Sequence, residues 1–214
     1  MTATRFPDAP PQIAALKVEA RGYPTPWFVS YVDGEPEFRA VDPRKIHYAD
    51  KHGLCWICGR PFAGSLRSFT IGPMCAVNRV SPEPPQHKDC ARFAAVSCPF
   101  LSRPMAKRRP INEGGYKATA GIMIERNPGV TLVWDTRSYR TMREGDGLLF
   151  FLGPPVSWSW YAEGREATRD EIMESIRTGL PLLAKEAAMD GPEALDLLEK
   201  QTRRAMKMVP EEAA

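Results

Sequence analysis

Cys55 and Cys58 form one short pair of candidate ligands and His87 and Cys90 form another, so a fold that joins the pairs leaves little freedom to the chain between them. Each pair encloses two residues, the spacing at which two side chains can be aimed at one cation. In Cys55-Trp56-Ile57-Cys58-Gly59 the chain must turn tightly, and Gly59 can take the positive φ that such a turn demands. In Pro84-Pro85-Gln86-His87-Lys88-Asp89-Cys90 the prolines suit the start of a helix. Residues three apart share a helix face, so His87 and Cys90 can both point at the turn. The spacing therefore predicts one tetrahedral site, with Cys55, Cys58, His87 and Cys90 holding a structural Zn2+ ion. Cys75 or Cys98 could replace His87 on spacing alone, and His52 is a further candidate. The competing reading is of ordinary buried thiols and a surface imidazole.

A knuckle followed by the first turn of a helix resembles the treble-clef class of zinc fingers, here over about residues 54 to 96. The resemblance carries over four positions, Cys55, Cys58, His87 and Cys90, and implies one zinc ion held between knuckle and helix. The stretches Pro26-Trp27-Phe28-Val29, Ile71-Gly72-Pro73-Met74-Cys75 and Ser97-Cys98-Pro99-Phe100-Leu101 also resemble a family of uncharacterised bacterial and phage proteins. That likeness implies a phage or mobile-element origin and no particular activity.

With 214 residues, 43% of them hydrophobic, the chain can bury a core of its own, as one domain or two small ones. Zinc would then be a local staple. Five cysteines, an odd number partly arranged as ligand pairs, argue for a reducing compartment and against a disulfide framework. No apolar signal region opens the sequence and no run approaches a membrane span, so we expect a cytoplasmic protein with no membrane partner.

Charge is unevenly spread. Residues 39 to 109 carry 13 basic and 4 acidic side chains, against 3 and 5 before them and 13 and 17 after them. The basic segment coincides with the metal half-sites and ends in Arg103-Pro104-Met105-Ala106-Lys107-Arg108-Arg109. Three thiolates and an imidazole around a dication leave a charge of only about −1, so the segment stays positive. Such a patch suits phosphate, and Lys88, Arg92, Arg103, Lys107, Arg108 and Arg109 are the expected nucleic-acid contacts. Basic runs are also common as solvated linkers. A protein partner bound through the C-terminal helices or an aromatic strand is the alternative, and a nucleic-acid hydrolase with an unidentified site is a third.

An enzyme finds little support. A treble clef that cleaves DNA needs a histidine between its half-sites, and residues 59 to 86 contain none. Glu-x-Lys, Gly-x-Ser-x-Gly and phosphate-loop patterns are missing from the sequence. Cys75 or Cys98 served by His47 or His52 is the one nucleophile to consider. No catalytic residue is assigned.

The order of elements indicates an α+β fold: a β-hairpin, a zinc-stabilised treble-clef-like module, and a mixed α+β C-terminal domain. The expected divisions are a loosely ordered segment 1–22, a hairpin and basic zinc-binding module over 23–110, and a mixed domain with C-terminal helices over 111–214. Asp33-Gly34 marks the first hairpin turn and Asn127-Pro128-Gly129 a second, between strands at 121–125 and 130–134. Residues 148–152 read as a strand buried on both faces. Alternation over 156–161 puts Val156, Trp158 and Trp160 on one face, suited to a core or to base stacking. Thr168 and Glu171 form a capping box for a helix expected to stop near Gly179, before Pro181. Further helical stretches follow over 182–189 and after Gly191-Pro192.

Overall fold

Local signals place the first elements of the computed structural model, which describes residues 3–103, 106, 120–121, 124 and 126–212. A short helix α1 (Pro11–Ala14) precedes a hairpin of β1 (Val29–Val32) and β2 (Glu35–Val41). Asp33 and Gly34 both have positive φ, 50° and 83°, the geometry that a two-residue hairpin turn requires. Helix α2 (Pro43–His52) starts behind Asp42, whose side chain accepts from the Arg44 N–H, and ends at Gly53 in the left-handed conformation.

Two antiparallel sheets form the body of the molecule. One has the order β3 (Arg67–Ile71), β5 (Thr131–Thr136), β8 (Pro155–Ala162), β9 (Arg165–Glu166). The other has the order β4 (Val80–Ser81), β7 (Gly147–Leu152), β6 (Tyr139–Glu144). Segments on either side of residue 110 are hydrogen-bonded in both sheets, since β3 pairs with β5 and β4 with β7. The first sheet has two unlike faces. Phe69, Trp134 and Trp158 lie in register, as do Ile71, Leu132 and Trp160, and all of these but the exposed Trp158 belong to the main core. The opposite face aligns Ser68 with Asp135 and Ser157, and Thr70 with Val133 and Ser159. Helix α4 (Lys88–Ser97) packs there, with Ala91 and Ala95 against Val133. Small alanines let the helix approach a face rich in hydroxyl groups.

Helix α3 (Pro73–Asn78) lies between β3 and β4, where sequence patterning shows only a Gly-Pro break. Val77 of this helix packs against Leu198 and Ala205 of α6 (Pro192–Met206) and the half-buried Leu180, Leu183 and Ala187 of α5 (Arg169–Met189). The expected stop before Pro181 is corrected: α5 runs through it, joining the two expected helical stretches. Pro181 is exposed, so water can serve the carbonyl it leaves without a donor, while Leu180 and Leu183 hold the helix to its neighbours.

The expected hairpin around Asn127-Pro128-Gly129 does not account for β5, both of whose edges are taken by β3 and β8. Its other arm, 121–125, lies largely outside the described residues. Trp160 is buried in the main core while Trp158 is 43% exposed, and both indole N–H groups donate to the Met208 carbonyl, at 2.9 and 3.0 Å. Among the described residues no helix is long and apolar enough to cross a membrane.

Candidate metal centre

The first half-site is a tight knuckle. Cys55 N–H donates to the Arg60 carbonyl and Gly59 N–H to the Cys55 carbonyl, each at 2.8 Å. Gly59 has φ +70°, and a Cβ there would lie 2.6 Å from Cγ of Trp27. The position therefore excludes a side chain on conformation and on space. The Trp27 N–H in turn donates to the Ile57 carbonyl at 2.7 Å, fixing the chain before β1 to the knuckle.

The second half-site is the start of α4. Residue 86 is bound to β3 by paired backbone hydrogen bonds between Ser68 and Gln86, at 2.9 and 2.7 Å. His87 is the N-cap in an extended conformation, and Cys90 sits in the first turn. The positive end of the helix dipole faces the sulfurs and favours thiolate there.

The ligand atoms of Cys55, Cys58, His87 and Cys90 all lie within 4.8 Å of one another. His87 Nδ1 is 3.4 Å from Sγ of Cys58 and 4.0 Å from Sγ of Cys90. A tetrahedron with metal–sulfur and metal–nitrogen bonds of about 2.3 and 2.0 Å has sulfur–nitrogen edges of about 3.5 Å, between the two observed values. The other imidazole nitrogen, Nε2, is 3.2 Å from the Pro61 carbonyl. A carbonyl accepts only, so Nε2 carries the hydrogen and Nδ1 keeps its lone pair for a metal. Cys55 and Cys90 are fully buried and Cys58 is 8% exposed. All three thiols are free of disulfides.

The electrostatics also suit a cation. Hydrogen bonding from Cys58, then from Cys90, drives the Cys55 thiol far below the ordinary thiol range. The resulting thiolate holds the Cys58 and Cys90 protons, raising both of those groups, and raises His87 as well. The sulfurs and the imidazole thus compete for protons in one small volume, an arrangement that a dication would relieve by taking the place of those protons. The donor set fits: soft sulfurs with one imidazole in four-coordinate geometry suit a structural metal ion.

The competing ligand candidates sit elsewhere. Cys75 is half-buried in α3 and packs on the main core, and Cys98 is half-buried at the end of α4. Burial pushes the Cys98 thiol up, away from reactivity. His52 rests on Tyr48, with ring centroids 4.3 Å apart, and His47 Nε2 is 2.8 Å from the Asp146 carbonyl.

The expected phosphate contacts separate into three groups. Lys88 is engaged: its Nζ lies 2.8 Å from the Asp135 carboxylate and 3.2 Å from Ser157 Oγ. Ser68 and Ser157 each donate to Asp135 at 2.6 Å, so this 2% exposed carboxylate has three donors. Arg92 and Arg103 are exposed and form no ion pair among the described residues. Lys107, Arg108 and Arg109 lie outside the described residues. Sequence reading missed Asp135, although an acid within the apolar stretch Leu132-Val133-Trp134 signals a buried partner. The chain matches no protein-family model, no curated protein and no solved structure.

Proposed function

We propose that Cys55, Cys58, His87 and Cys90 hold a structural zinc ion in a treble-clef-like module, and that this module presents a cationic surface to nucleic acid. The observation that carries the reading is the convergence of four ligand atoms within 4.8 Å, with the imidazole already oriented by Pro61. Zinc bound by three thiolates and an imidazole leaves no open coordination position, so its contribution is shape and rigidity. It fixes the start of α4 against the knuckle, and α4 in turn lies on the first sheet.

The cationic part of the reading is supported by charge accounting. Residues 39–109 are strongly basic. Arg60, Arg92 and Arg103 are exposed without a carboxylate partner among the described residues. Lys88 is largely neutralised by Asp135 and contributes through position more than through charge. A reducing cytoplasm, which preserves thiolate ligands, suits such a centre, and a phage or mobile-element setting suits a small basic protein of this kind. The test is binding of a labelled duplex across a salt series. Phosphate contacts require log affinity to fall linearly with log salt concentration, with a slope of about −0.9 per contact; affinity independent of salt opposes the reading.

A second reading, a protein partner, draws on the C-terminal helices, where Leu182, Met189, Leu195 and Leu197 are 41, 70, 40 and 54% exposed. A partner that co-purifies after nuclease treatment, and is lost on Leu197→Ser with Met189→Ser, would favour it.

A further inference from the structure

We infer that the loop 62–67 and Arg137 form a phosphodiester-binding edge beside the metal centre, in which the guanidinium groups of Arg67 and Arg137 and the backbone N–H groups of Gly64 and Ser65 take a nucleic-acid phosphate. The inference rests on the nucleic-acid reading above and names different residues from the basic run at 103–109.

Strand pairing creates the site. Arg67 stands opposite Thr136, so the β3–β5 ladder delivers Arg67 and Arg137 to the same end of the sheet. Both then bear on one loop: Arg67 donates to the Gly64 and Leu66 carbonyls at 2.5 and 2.9 Å, and Arg137 donates to Ser65 Oγ at 3.2 Å. Neither guanidinium has a carboxylate partner among the described residues. Several other exposed arginines are paired, as Arg44 is with Asp42, Arg165 with Glu171 and Arg177 with Glu174. The nearby acid, Asp50, is hydrogen-bonded to the Tyr139 hydroxyl.

Arg67 is preorganised. Its guanidinium lies 3.9 Å from the centroid of the Phe62 ring, one terminal nitrogen bonds the two carbonyls, and the group also hydrogen-bonds Tyr139, so its position is fixed by four neighbours. The loop tip is open: Gly64 and Ser65 are exposed, a Cβ at Gly64 would meet nothing within 4 Å, and their N–H groups have no acceptor among the described residues. Two guanidinium forks with adjacent N–H groups offer the donors that the oxygens of a phosphodiester accept.

The metal centre supports this edge directly. The Phe62 ring lies 4.8 Å from the His87 ring, centroid to centroid and tilted by 57°, so Phe62 touches both the candidate ligand and the Arg67 guanidinium. Ordering His87 on a metal orders the surface on which Arg67 rests.

The experiment uses the full-length, zinc-loaded protein and fluorescence anisotropy with a short DNA duplex and an RNA duplex of the same sequence. Arg137→Glu, Arg67→Ala and the triple variant Lys107→Ala/Arg108→Ala/Arg109→Ala are compared with the unmodified chain, with zinc content and thermal midpoint recorded for each. Arg137→Glu is expected to weaken binding about tenfold or more and to reduce the salt slope by about one, with zinc content unchanged. The triple variant is expected to lose less. Preference for DNA or RNA identifies the source of the phosphate. Binding by the unmodified chain that Arg137→Glu leaves intact in affinity and slope overturns this edge and spares the nucleic-acid reading. Failure of the unmodified chain to bind either duplex overturns both. Should Arg67→Ala lose zinc or unfold, Arg137→Glu decides alone, since Arg137 is exposed and its one hydrogen bond among the described residues is to Ser65.

Discussion

Gly59 meets two demands at one residue, a left-handed backbone and the close approach of Trp27. Gly34 meets only the first, since a Cβ there would touch nothing within 4 Å. Gly34→Ala is therefore expected to cost about 1–2 kcal/mol. Gly59→Ala should cost clearly more and lower zinc content; equal denaturation midpoints for the two variants would contradict the packing argument. Lys88 gives a second test at this scale. Lys88→Ala strands the carboxylate of Asp135, and because the lysine side chain is 32% exposed the expected loss is about 2–3 kcal/mol rather than the full cost of breaking a buried pair. Adding Asp135→Asn should recover part of it in urea denaturation. The convergence of the four candidate ligands was legible in the sequence because their chemistry is local, two pairs with fixed spacing. Asp135 and Arg137 were not, because their partners Lys88 and Ser65 become neighbours only through the β3–β5 ladder and the helix laid across it.

At the scale of elements, α5 shows what local signals can and cannot decide. Its capping box is complete: Thr168 Oγ1 accepts from the Glu171 N–H, and the Glu171 carboxylate accepts from the Thr168 N–H at 2.8 Å. Thr168→Ala should cost about 1 kcal/mol in a denaturant titration. The Arg165 guanidinium, with help from Thr168, holds the Glu171 carboxyl down to about 2 from an ordinary 4.5. A carboxyl lowered on folding contributes stability that is fully present above its unfolded value and is lost as pH falls through the folded one. Stability should thus decline between about pH 4.5 and about pH 2, and Glu171→Gln should remove this component from the acid limb of a plot of stability against pH. The far end of α5 was not legible, because Pro181 is a local stop signal that tertiary packing of Leu180 and Leu183 overrides. The first hairpin and the start of α6 were legible, since Asp-Gly and Gly191-Pro192 act within a few residues. The short β4 had no such signal, and Gly72-Pro73 at the start of α3 reads equally as a break when only six residues of helix follow.

Across the whole molecule, the candidate metal centre is bound into the sheets as well as into its own loop. Gln86, next to His87, is paired with Ser68 on β3, and β3 is hydrogen-bonded along its length to β5. Removing the metal with a chelator should therefore lower the thermal midpoint of the whole chain in one cooperative transition. Two separate transitions in calorimetry, with only the first moved by the chelator, would show that the centre is energetically isolated. The central claim is that three sulfurs and His87 Nδ1 surround one metal ion. X-ray absorption at the zinc edge of the purified protein tests it most directly. The account predicts one zinc per chain, with three sulfur neighbours at about 2.3 Å and one nitrogen at about 2.0 Å; a protein that binds no metal, or holds it through oxygen ligands alone, would contradict it.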